Sequence, residues 1–81
     1  MFSNKNANGT NNLCGIRVSI YRKSMKLSQR QLADTLQIAG LDIDKNAIQR
    51  IESGKRFVTD IELVALSNVL KCAIEELVKE N

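Results

Sequence analysis

From residue 13 onward the apolar residues of this chain recur at helical spacing, and well-defined stop and start signals cut them into short segments. Ser28-Gln29-Arg30-Gln31 is the clearest boundary. A serine at the cap and a glutamine three residues later can each satisfy the other's free backbone amide, and Leu27 before the cap pairs with Leu32 inside the helix as a hydrophobic staple. Leu32, Ala33 and Leu36 then share one face. The same device returns at Thr59-Asp60-Ile61-Glu62, stapled by Val58 and Leu63, and opens a helix whose inner face is Leu63, Leu66, Val69 and Leu70. Between the two, a helix beginning near Asp44 turns Ile48 and Ile51 inward and stops at Gly54, the residue best able to adopt the left-handed conformation that ends a helix. A helix from Leu13 to about Lys23 precedes these, and a last one covers about Ile74 to Val78. With no proline, no alternating polar and apolar run and no internal repeat, the expected fold is all-α, a bundle of five short helices spanning 13–81.

Residues 1–12 stand apart. They are poor in hydrophobes and carry Asn4, Asn6, Asn8, Asn11 and Asn12, the composition of a mobile tail. The first helix is apolar on two sides: Cys14, Val18, Tyr21 and Met25 on one, Leu13, Ile16 and Ile20 roughly opposite. The second stripe needs a cover beyond the ordinary core.

A chain of 81 residues is one domain that buries only roughly 60% of its unfolded surface, which leaves no room for a separate catalytic or ligand-binding domain. There is no histidine, and Cys14 and Cys72 lack partners at metal-ligand spacing, so no metal or cofactor is expected; both read as small buried residues of a reducing compartment. Without a cofactor motif or a paired acid site, nothing organises a reaction, and an enzyme is not expected. No apolar run approaches the ~20 residues of a membrane span and no signal-peptide core is visible, so the expected location is the cytoplasm. Charge is unevenly spread. Residues 1–57 hold ten Lys/Arg against four Asp/Glu, and residues 58–81 hold two against five. Such polarity suits a domain that turns one face toward phosphates.

The helix from Asp44 to Gly54 supplies the matching chemistry. With Ile48 and Ile51 inward, Lys45, Asn46, Gln49 and Arg50 face outward, and these donors and amides are of the kind that pair with guanine O6/N7 or adenine N6/N7 in a DNA major groove. Ala47 offers only a methyl for thymine.

Residues 14–78 resemble the xenobiotic-response-element type of helix-turn-helix, the lambda/434 repressor and Cro-like family. The likeness is carried by Arg22, the Leu27–Ala33 segment LSQRQLA, the run Ile48-Gln49-Arg50-Ile51-Glu52-Ser53-Gly54-Lys55, and the later ELVALSNVL. The resemblance implies a five-helix lambda-repressor-like domain that binds operator DNA with helix three in the major groove. It implies that Lys45, Asn46, Gln49 and Arg50 read bases. Gln29 grips the backbone, with Ser28 beside it, and Ser53, Lys55 and Arg56 form a phosphate-binding exit loop. Arg22 and Glu52 match a structural ion pair tying helix one to the end of helix three. One departure is plain: the stretch from Gln37 to Ala47 is longer than the family's tight glycine turn, so helices two and three are joined by an extended turn in which Leu41 and Ile43 are expected to pack and Asp42 adds negative charge near the phosphates.

The resemblance further implies a transcriptional regulator, a repressor first, acting as a homodimer on double-stranded DNA. An antitoxin that binds its own operator and a toxin protein is the alternative. Two surfaces are candidates for pairing: Leu13, Ile16 and Ile20, which Leu41 and Ile43 are expected to cover, and the favoured one, Ile74, Leu77 and Val78.

Overall fold

The computed structural model describes residues 9–79. Five helices follow one another: α1 (Gly15–Ser24), α2 (Gln29–Ile38), α3 (Lys45–Glu52), α4 (Asp60–Leu70) and α5 (Ile74–Leu77). Both capping boxes form as the sequence predicts, with the Ser28 and Thr59 side chains accepting from the Gln31 and Glu62 amides and the N3 side chains answering in return. Asp44 caps α3 by accepting from the Ala47 amide at 2.8 Å.

One core joins all five helices. Val18 of α1, Leu32, Ala33 and Leu36 of α2, Ile48 and Ile51 of α3, Leu66 and Leu70 of α4 and Leu77 of α5 are all buried, together with Cys14 and Ile43. α3 packs against α2 and α1, while α5 closes the far end against α1 and α4. Two lysines stand where glycine is usual. Lys26 after α1 and Lys71 after α4 have φ of 59° and 57°, the left-handed conformation in which the following amide folds back, Leu27 to the Arg22 carbonyl and Cys72 to that of Ser67.

The extended turn, 39–44, is anchored from within. Gly40 takes a φ of 99°, Leu41 donates to the Leu36 carbonyl at 2.9 Å, and the Gln37 amide holds the Ile43 carbonyl at 2.8 Å. Ile43 enters the core and Leu41 packs on its edge, while Asp42 stays exposed.

Four expectations need correction. α1 begins at Gly15, because Asn12 Oδ1 accepts the Gly15 amide at 2.8 Å and the chain bends at Leu13 and Cys14. Met25 lies beyond the last turn of α1 and is exposed. Leu41 and Ile43 do not cover the second stripe of α1, whose Leu13, Ile16 and Ile20 remain 43%, 58% and 51% exposed. The favoured pairing surface loses Leu77, which is fully buried in the core, while Ile74 and Val78 stay half-buried. Residues 1–8 of the expected tail lie outside the described residues, but Asn11 and Asn12 are hydrogen-bonded to the end of α3.

Candidate nucleic-acid interface

α3 is strongly amphipathic, and that alone orients the candidate reading side chains. Ile48 and Ile51 are fully buried, so the helix cannot rotate, and Lys45, Asn46, Gln49 and Arg50 are fixed on the solvent side. No hydrogen bond or ion pair to another described residue engages these four side chains, so their donors and acceptors are available to a ligand. Ala47 lies half-buried behind them. Asp44, Asn46, Ala47, Arg50 and Arg56 border a shallow depression along this face.

Arg22 fixes the base of the site. Its Nε and Nη2 donate to the two carboxylate oxygens of Glu52 at 2.6 and 3.0 Å, and Nη1 donates to the Leu27 carbonyl at 2.8 Å. The pair is therefore bidentate and largely sheltered, and it ties α1, the α1–α2 turn and the end of α3 together. The hydrogen bond to Glu52 holds the Arg22 pKa above its ordinary value. Gln29 joins the same carboxylate through Nε2 at 3.1 Å, which places the first residue of α2 against the last residue of α3.

The exit loop is gathered onto one carbonyl. Arg50 O accepts the Lys55 amide at 2.9 Å, the Arg56 amide at 3.2 Å and the Ser53 hydroxyl at 3.2 Å, while Gly54 turns with φ of 79°. The two basic residues of this loop differ in state. Lys55 is exposed and has no partner among the described residues. The Arg56 guanidinium is taken up by both oxygens of Glu62 at 2.8 Å and by the Phe57 carbonyl at 3.0 Å. That hydrogen-bonded pair raises the Arg56 pKa and lowers that of Glu62, so the Arg56 charge is already balanced within the molecule. Ser28 is occupied with its cap, and its exposed hydroxyl keeps a hydrogen to donate.

The sequence reading missed the contribution of the amino-terminal asparagines. The Asn11 amide donates to the Gly54 carbonyl at 2.7 Å and its side chain to that of Lys55 at 3.0 Å; Asn12 Nδ2 donates to the Ile51 and Arg56 carbonyls at 3.1 and 2.7 Å. The one legible signal was Asn12 itself, a good capping residue just ahead of an apolar helix, hidden among other asparagines.

A helix-turn-helix family model matches residues 18–77 of the chain. The chain belongs to the XRE helix-turn-helix family. Among solved structures it is similar to the P22 c2 repressor protein, crystallised in complex with the synthetic operator 9T in the presence of Tl+. The identity is 27% and the TM-score 0.72, over 86% of this chain and 98% of that one. No curated protein matches. The five-helix lambda-repressor-like fold that the resemblance implied is thus the fold found, with residues 39–44 as the extended turn between α2 and α3. Among the described residues no helix is long and apolar enough to cross a membrane.

Proposed function

We propose that this XRE-family domain is a transcriptional repressor that binds a specific double-stranded operator with α3 in the major groove. The observation that carries the reading is the face of α3. Lys45, Asn46, Gln49 and Arg50 are exposed and their side chains are unengaged by other described residues, on a helix locked in register by Ile48, Ile51 and the Arg22–Glu52 pair. The likeness to a repressor solved on its operator supports the orientation. Base-edge contacts from these four side chains give sequence preference, and Lys55, with Ser28, Gln29 and Ser53, supplies the phosphate contacts that set register. Arg56 contributes to phosphate binding only by exchanging Glu62 for a phosphate. An antitoxin would read its operator with the same helix and would need a further face for its toxin.

One short helix reads few base pairs, so two copies acting on half-sites about one helical turn apart complete the proposal. With Leu77 in the core, two exposed apolar patches are left for pairing, Leu13, Ile16 and Ile20 on α1 and Phe57, Ile61 and Val64 at 53%, 72% and 46% exposure, and the second, next to the exit loop, is the one proposed.

Selection of bound sites from random duplex DNA tests the reading. Arg50→Ala is expected to relax preference at one or two base pairs by ~1–3 kcal/mol, whereas Lys55→Ala weakens all sequences alike and flattens the salt slope by about 0.9. An Arg50→Ala protein with unchanged sequence preference would show that α3 is not the reading helix.

A further inference from the structure

The four hydrogen bonds donated by Asn11 and Asn12 converge on one place. Four carbonyls at the end of α3 and along its exit loop, those of Ile51, Gly54, Lys55 and Arg56, each accept a hydrogen bond from these two residues, and Asn12 Oδ1 at the same time accepts the Gly15 amide that starts α1. The last carbonyls of a helix otherwise lack partners and carry its negative end, an unfavourable feature beside a polyanion. Backbone packing is equally tight around this contact. A Cβ on Gly54 would stand 2.6 Å from Thr10 Cγ2, and one on Gly15 would stand 2.1 Å from the Ile51 carbonyl oxygen and 2.9 Å from Asn12 Oδ1. Residues 10–15 therefore pack against the carboxy-terminal end of the reading helix, and the exit loop is bonded both to them and to the Arg50 carbonyl.

We propose that Asn11 and Asn12 are positioning residues for DNA binding: they fix the Gly54–Arg56 loop so that Lys55 meets a phosphate while α3 lies in register. The segment read as a tail is, at its inner end, part of the binding apparatus. Asn11 marks the role as positional. Its Oδ1 is buried without a partner among the described residues, which costs stability, while its Nδ2 holds the backbone of the very residue that carries the free lysine. The inference rests on the reading of Lys55 as a phosphate contact, and the experiment separates the two.

The test is a double-mutant cycle on the full chain, with operator and random duplex affinities measured across a salt series. Asn11→Ala removes the bond to the Lys55 carbonyl and keeps every bond of Asn12, and Asn12→Ala removes the bonds to the Ile51 and Arg56 carbonyls together with the one from the Gly15 amide. Each is expected to weaken operator and random DNA alike, roughly three- to tenfold, the worth of a lost hydrogen bond. In either background Lys55→Ala should have less effect than in the wild type, because the lysine is no longer held in place, whereas independent sites add. Circular dichroism at the assay temperature establishes that Asn11→Ala is folded. Folded variants that bind like the wild type, or effects that simply add to that of Lys55→Ala, overturn the proposal. So does unfolding of Asn11→Ala, which would make the segment a stability element. If Lys55→Ala itself leaves both affinities unchanged, the phosphate-contact reading fails before the positioning one is reached.

Discussion

Replacement of Arg22 by alanine is the most informative perturbation of the fold. The arginine is only 8% exposed and makes three hydrogen bonds, two to Glu52 at 2.6 and 3.0 Å and one to the Leu27 carbonyl at 2.8 Å. Alanine removes all of them and leaves a sheltered carboxylate with the Gln29 amide as its remaining partner. Stripping one member from a buried pair costs about 3–5 kcal/mol, and the Gln29 bond together with residual exposure puts the expected loss at the low end, about 3 kcal/mol. A domain of this size holds about 4–12 kcal/mol in all. With a urea m-value of ~1 kcal/mol/M, the midpoint should fall by about 3 M. Urea melts followed by circular dichroism measure this directly. Arg22→Met combined with Glu52→Leu should recover much of the loss, because no charge is then left without a partner. A loss under ~0.5 kcal/mol for Arg22→Ala, the range of ordinary surface changes, would refute the argument that the pair bears weight.

Lys71→Gly should raise stability by about 1 kcal/mol in the same melts, since Lys71 holds a φ of 57° that a side chain disfavours and glycine does not. Gly15→Ala should be destabilising despite alanine's helix propensity, because its Cβ would fall 2.1 Å from the Ile51 carbonyl oxygen; a melting temperature equal to wild type would mean α1 and α3 can separate freely. The Glu62 carboxyl is held below its ordinary 4.5 by the hydrogen bond from Arg56, so the pair's contribution is complete above pH 4.5 and is lost as pH falls through the lower folded value. Acid titration of Arg56→Ala should accordingly show a shallower fall in stability. Burial pushes the Cys14 thiol up to about 11, so it should resist alkylation at pH 7 in the folded state and react once urea unfolds the chain.

The helices were legible because their ends are written in local chemistry. Ser28 with Gln31, Thr59 with Glu62, Asp44 and Gly54 each act on backbone groups within three or four residues, so no tertiary knowledge is needed to place them. Long-range packing was less readable. The apolar character of Leu41 and Ile43 says that they pack, but their spacing cannot say that a Gln37 side chain holds the Ile43 carbonyl, with Ile43 in the core and Leu41 at its edge instead of lying on α1. Leu77 shows the same limit, since a four-residue helix has too little periodicity to separate an inner from an outer face.

At the candidate site, residue type indicates which side chains are able to meet DNA, but not which are already committed. Lys55 and Arg56 are adjacent and look alike in sequence, yet among the described residues the Lys55 side chain has no partner and that of Arg56 is bound, and Glu62 decides between them. Glu62 was visible only as the third residue of a capping box. Its Oε1 does accept the Thr59 amide at 3.0 Å, but the same carboxylate also receives both Arg56 nitrogens at 2.8 Å. A single carboxylate thus starts α4 and neutralises the end of the basic loop. The basic stretch of sequence therefore overstates the unbalanced charge of this loop, and among the described residues the side chain left without a counter-charge there is that of Lys55, whose backbone carbonyl Asn11 holds.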